Sequence, residues 1–156
     1  MDVVIRDGGV ADVEALAALV GELQDEHVAA RPEMFRPIPS DEVIIWLREL
    51  FQKSVKVWVA QVQKAVRGYL VLVVRGQPAG PFNFGRTWIE LDQIAVHRAC
   101  RRQGVARALV ATARVYADAV GIRDVELTSW SFNQEAHRAF GKLGFVPKVV
   151  RFELNS

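Results

Sequence analysis

The segment Arg101-Arg102-Gln103-Gly104-Val105-Ala106-Arg107 sets basic side chains around one glycine and one small residue. It follows a β-type run ending at Val96 and leads into a helical pattern that starts near Val105. A helix start carries several unpaired backbone N–H groups and about half a positive charge, so a small-residue turn feeding one makes an anion cradle. Gly104 can take conformations closed to other residues, and Ala106 lets a ligand approach the backbone. The spacing Arg101-x-x-Gly104-x-Ala106 therefore suits a pyrophosphate. An ordinary basic loop with a tight turn carries the same residues. Two other phosphate loops are excluded, because Gly-Lys followed by Ser or Thr is missing and Gly104 stands alone where G-x-G-x-x-G needs three glycines. Upstream, Glu90 and Asp92 alternate on the run that leads into this loop, which predicts that both face the same way.

The elements that must position these groups are legible from periodicity. Val3 to Arg6 predicts a strand, Gly8 and Gly9 break it, and Asp12 is placed to cap a helix with Val13, Leu16, Val20 and Leu23 on one face, running to about His27. Three prolines between Arg31 and Pro39 predict an extended loop. Ser40 then caps a second helix whose face is Val43, Leu47, Leu50 and Phe51. Alternation at Val55, Val57 and Val59 and a β-rich run over Val66–Val74 predict a hairpin. A turn-rich loop over Gly76–Gly85 leads to a strand from Trp88 to Val96. Val105, Leu109, Ala113, Tyr116 and Val120 predict a helix ended by Gly121, and Val125–Thr128 a further strand. Asn133 starts a helix to about Lys142, Gly144 stops it, and Val149–Leu154 predicts a closing strand.

The chain has 156 residues and reads as a single domain over 1–156, with no repeat or linker. Surface scaling for this mass gives a compact folded area of ~7,900 Å². An apolar fraction of 51% with 24% charged residues excludes a disordered chain. The net charge of +2 is too small to argue for nucleic acid or a membrane surface, and the basic cluster around Cys100 lacks the interleaved aromatics of a nucleic-acid patch. No apolar run is long enough to span a bilayer, and the N-terminus lacks a signal core. The single cysteine, Cys100, excludes an internal disulfide and places the protein in a reducing cytoplasm. His27, His97 and His137 are too dispersed for a metal motif, so no metal is expected. Trp130, just after the fifth strand, is the tryptophan expected at a cleft, while Tyr69, Phe82 and Phe84 either line an acceptor pocket or fill the core.

Between a strand and a helix, Arg101-Arg102-Gln103-Gly104-Val105-Ala106 resembles the coenzyme signature Q/R-x-x-G-x-G/A of the GNAT superfamily of N-acetyltransferases. Asn133, Ala136, Phe140 and Leu143-Gly144-Phe145 resemble that family's second hallmark, at the family's distance. The resemblance is strong from Trp88 to Phe152 and weak from Ile5 to Leu23. It implies an α/β fold with a mixed, mainly antiparallel sheet of six or seven strands flanked by about four helices.

The resemblance further implies acetyl-CoA as co-substrate. Its pantetheine arm would pair with the backbone of Ile94, Ala95 and Val96, and its pyrophosphate would sit on the N–H groups of Arg102, Gln103, Gly104, Val105, Ala106 and Arg107. Arg101, Arg102, Arg107 and Arg138 are candidate outer phosphate contacts. Asn133 corresponds to a pantetheine contact or is a plain N-cap. The implied reaction is direct acetyl transfer to a primary amine. Glu90 resembles the base of some relatives, with Asp92 in reserve, and a backbone N–H near Val96 would hold the oxyanion. Phe140 departs from the pattern, since many relatives carry there a tyrosine that protonates the leaving thiolate. Ser129, Ser131 or water could substitute, or the chain could be a non-catalytic acyl-CoA-binding sensor or interaction module. A homodimer is also expected by resemblance, and the acceptor stays open among small amines, antibiotics, amino acids and proteins.

Overall fold

A computed structural model describes residues 2–155. Its elements in chain order are β1 (Val3–Asp7), α1 (Val13–Ala30), α2 (Ser40–Leu50), β2 (Lys56–Val62), β3 (Ala65–Gln77), β4 (Arg86–Val96), α3 (Val105–Ala119), β5 (Val125–Leu127) and α4 (Gln134–Lys142), with short 3-10 turns at Val10–Asp12 and Arg98–Cys100. The strands form one sheet in the order β1-β2-β3-β4-β5, antiparallel throughout except for the parallel pair β4–β5. Alternation splits the sheet into two apolar faces. Val57, Val59, Tyr69, Val71 and Ala95 pack under α1 and α2, whereas Trp58, Ala60, Leu70, Leu72, Ile89 and Leu91 pack under α3.

Two helix starts differ from the sequence-based expectation. Pro39, not Ser40, occupies the N-cap position of α2. Asp12 does occupy the N-cap position of α1, but its carboxylate makes no cap hydrogen bond to that helix. It accepts from both guanidinium nitrogens of Arg6, at 2.9 and 2.7 Å, and from the Gly9 N–H at 2.9 Å. Asp12 is buried, and Arg6 holds its carboxyl below the usual carboxylate range, with the Gly9 N–H assisting. The pair staples β1 to the entry of α1.

Among the described residues the sheet has five strands rather than the expected six or seven, because Val149–Leu154 forms none. A strand exists only as part of a ladder, and β-propensity without a partner edge does not make one. Residues 146–155 form no helix or strand and are exposed. Phe82 and Phe84 are also exposed, at the tip of the β3–β4 hairpin, so they neither fill the core nor line a pocket.

Candidate functional site

The strands β4 and β5 are paired over three positions only, Ile89 with Val125, Glu90 with Glu126 and Leu91 with Leu127. Beyond Leu91, β4 continues to Val96 with β3 on one side and no ladder on the other. The closed end is pinned by Arg86, whose guanidinium lies over the Trp88 ring at 4.0 Å and binds both carboxylate oxygens of Glu126. That contact, with help from Lys148, draws the Glu126 carboxyl down to about 2. The opening starts at a β-bulge: Val71 faces Gln93 while its neighbour Leu72 faces Leu91, so Asp92 is the extra residue.

This bulge decides what the carboxylates do. Glu90 lies inside the closed ladder and its Oε2 accepts from Trp88 Nε1 at 3.1 Å. Asp92 lies at the opening, beside Arg75 at 3.4 Å. The simple alternation expected of the pair is thus interrupted between them. Tyr69, one of the residues left open between pocket and core, is core: its ring is buried and its hydroxyl donates to Gln93 Oε1 at 2.9 Å. Burial raises the Tyr69 phenol above its ordinary range, and the Asp92 charge adds to the rise. Gln93 carried no sequence signal, since its partner is 24 positions away.

At its far end the open edge of Ile94, Ala95 and Val96 runs into the basic loop. Gly68, opposite Val96, lets α3 seat against the sheet, because an added Cβ would stand 3.0 Å from Val105 Cγ1 and 3.1 Å from the Ala95 carbonyl. Arg102 and Gly104 both have left-handed backbones, at φ 63° and 85°. The first amide bonded back into α3 is Ala108, to the Gly104 carbonyl at 3.0 Å. The N–H groups of Val105, Ala106 and Arg107 therefore belong to the free first turn. Arg102 and Arg107 are exposed beside this turn, and Gln103 reaches back to the Ala99 carbonyl at 3.4 Å.

Arg101, half-buried, is engaged within the protein. Its Nη2 is 2.7 Å from Glu26 on α1, its Nη1 is 3.8 Å from Glu135 on α4, and its Nε donates to the Val96 carbonyl at 3.3 Å. Cys100 is buried. Across the opening, the chain leaving β5 carries Trp130 and Phe132 into contact with His27 and Phe35, with ring separations of 4.9 to 6.3 Å. Only Trp130 of this cluster was anticipated. Burial lowers the His27 imidazole pKa, against the Glu26 charge. Asn133 caps α4, its Oδ1 accepting from the Ala136 N–H at 3.3 Å, and Phe140 packs edge-on against Phe145.

An open depression of about 690 Å³ lies elsewhere, over α1 against α2, and adjoins the opening only at His97 and Arg98. Among the described residues no group of His, Cys, Asp and Glu is gathered to hold a metal, and no helix is long and apolar enough to cross a membrane.

The fold is α/β and its sheet is mixed, opens along β4 beyond Leu91, and leaves free N–H groups at the helix start where that strand ends. The family profile described as "Acetyltransferase (GNAT) family" matches residues 20–145, and the chain belongs to that family of acetyltransferases. Among solved structures, a tetramutant of the BH1408 protein from Bacillus halodurans superposes with a TM-score of 0.87 at 22% identity, covering 98% of this chain and 99% of that one. The aminoglycoside N-acetyltransferase AAC(6')-Iy, in complex with CoA, gives 0.74 at 18% identity, over 99% and 96%. The aminoglycoside antibiotic 6'-N-acetyltransferase AAC(6')-Ih from Acinetobacter baumannii gives 0.74 at 19%, over 99% of each chain. At these identities the likeness is one of fold. No curated protein matches the sequence significantly.

Proposed function

We propose that this chain transfers the acetyl group of acetyl-CoA directly to a primary amine. The observation that carries this is the continuity of the unpaired edge, Asp92 to Val96, with the free first turn of α3. Backbone groups of Ile94, Ala95 and Val96 would hold the pantetheine amides by strand addition. The N–H groups from Arg102 to Arg107 would hold the pyrophosphate, with the exposed Arg102 and Arg107 supplying charge. Asn133 already uses its Oδ1 as a cap, so a role toward the pantetheine arm falls to its amide nitrogen.

An ammonium cannot attack a thioester, so the acceptor first gives a proton to a carboxylate, directly or through water. Asp92 lies where the sheet opens, and Glu90 one ladder pair deeper. The amine nitrogen then bonds to the thioester carbon, a backbone N–H near Val96 steadies the oxyanion, and the C–S bond breaks with its electron pair leaving on sulfur. A thiol of pKa ~8.5 leaves as thiolate at modest cost, which offsets the missing hydroxyl at Phe140. Thiol release from acetyl-CoA across an amine panel tests this, alongside Glu90→Gln and Asp92→Asn. At least one substitution is expected to lower kcat by roughly 10² to 10⁴. Unchanged kcat in both at neutral pH overturns the base assignment. Phe140 also favours a second reading, a CoA binder without turnover, and thiol release with any amine eliminates it.

A further inference from the structure

His27, Phe35, Trp130 and Phe132 gather on one side of the opening in the sheet. α1, which carries His27, packs with α2 on one face of the sheet, and α3, whose start holds the free N–H groups, packs on the other. The rings and the start of α3 therefore lie on opposite sides of the same gap. Trp130 comes three residues after Leu127, whose ladder partner Leu91 immediately precedes Asp92. The backbone fixes both halves of the cluster. The Phe35 N–H donates to the Arg31 carbonyl at 3.0 Å, just past α1, and Gln24 Nε2 donates to the Arg36 carbonyl at 2.8 Å. The Trp130 carbonyl accepts from the Asn133 N–H at 3.0 Å and from His137 Nε2 at 2.9 Å. Yet the Trp130 ring is 44% exposed, and the other three are only half-buried. The cluster is held in place and left open. Trp130 and Phe132 are 14° from parallel, while Phe35 stands at 89° to the first and 78° to the second. Ring faces set in two perpendicular directions receive a flat guest by stacking on one and by edge contact with the other.

We propose that the acceptor is a primary amine carried on a flat apolar body, an arylalkylamine in class, and that Trp130 and Phe35 select it. This rests on the acetyl-transfer reading above. Charge decides against a polycation. The carboxylates beside these segments are taken up by arginine: Glu26 and Glu135 by Arg101, at 2.7 and 3.8 Å, and Glu33 and Glu153 by Arg31. Glu14 and Asp25, which have no such partner among the described residues, line the depression over α1 and α2 instead. Burial lowers the His27 pKa, so that ring is uncharged at neutral pH. A single ammonium can rest on aromatic faces without a bare carboxylate before it gives up its proton. Several ammonium groups on one molecule find no matching set of free carboxylates at the rings. Area discriminates in the same direction, because an aryl group buries apolar surface that a short alkyl chain lacks.

The test is thiol release by the full chain from acetyl-CoA with phenethylamine, n-butylamine, spermidine and kanamycin, together with calorimetric binding of the first two amines to the CoA complex. Phenethylamine is expected to exceed the other three in kcat/KM by about 10-fold or more. Trp130→Ala and Phe35→Ala are each expected to raise its KM about 10- to 100-fold while KM for n-butylamine stays within about 3-fold, and Trp130→Phe to recover most of the loss. A loss equal for both amines makes the rings structural supports and overturns the proposal. A preference for spermidine, kanamycin or n-butylamine overturns it as well. If none of the amines releases thiol, the acetyl-transfer reading fails, and calorimetry judges the rings separately. Phenethylamine binding that is tighter than n-butylamine binding and is lost in Trp130→Ala upholds the aryl site, and binding without that difference overturns it.

Discussion

Gly104 and Gly121 bracket the same helix and offer a matched pair of perturbations. Their φ values are 85° and 74°, and an added Cβ would meet nothing within 4 Å at either one. Alanine therefore fits both sites and is opposed only by the left-handed backbone, a cost of about 1–2 kcal/mol. For a chain of this length each kcal/mol moves Tm by roughly 2–4 °C, so Gly104→Ala and Gly121→Ala are each expected to lose about 2–8 °C. Their effects on CoA should part company. Gly104 immediately precedes the first turn of α3, whose free N–H groups are the proposed pyrophosphate site, whereas Gly121 lies past the other end of the helix. A methyl at Gly104 that displaces one hydrogen bond to a charged phosphate, about 1.5–3 kcal/mol, raises Kd for CoA about 10- to 150-fold. Titration calorimetry of CoA into both variants, paired with scanning calorimetry, separates the two effects. If the affinity of Gly104→Ala falls no further than that of Gly121→Ala, the diphosphate does not sit on this turn.

Asp12→Ala strands the Arg6 guanidinium and the Gly9 N–H and is expected to cost about 2–4 kcal/mol in urea unfolding, while a loss below 1 kcal/mol would mean that solvent replaces the carboxylate. Glu126 has a folded pKa of about 2 against an ordinary 4.5, so it contributes stability that is complete above pH 4.5 and is lost as pH falls toward 2. Glu126→Gln should flatten the acid limb of stability between those values, and an acid limb identical to the wild type would refute the pairing with Arg86 and Lys148 in solution. Phe140→Tyr is expected to raise kcat in the thiol-release assay, up to the roughly 10²-fold of a placed proton donor. An unchanged rate would mean that thiolate departure does not limit turnover.

Helices and paired strands were legible because burial imposes their periods on the chain: Val57 and Val59 go to one face of the sheet and Trp58 and Ala60 to the other. The failure at Val149–Leu154 has the same root. Its composition is that of a strand, but a ladder is a property of two segments, and composition reports one. The bulge at Asp92 left no trace either, since one extra residue on β4 is defined only against its partners Val71 and Leu72. The aromatic cluster joins His27 and Phe35 to Trp130 and Phe132 much later in the chain, and only Trp130 was marked, by its place just after a strand. The glycine turn and the helix start at Val105 were visible because they are local, within six positions of Arg101.

Arg101 has partners that its place in a run of basic residues does not reveal. Its charge is taken up by Glu26, 75 positions away on α1, and by Glu135 on α4, elements on the two sides of the opening. What remains is a donor: Nε to the Val96 carbonyl, at the last residue of β4. That bond ties the end of the open edge to the turn that starts α3. The coenzyme signature that this chain resembles accepts glutamine or arginine at the same position. The two share no charge, but both carry an N–H donor on a long side chain, which is the capability that Arg101 uses here. The position is explained here as a clamp between strand and loop.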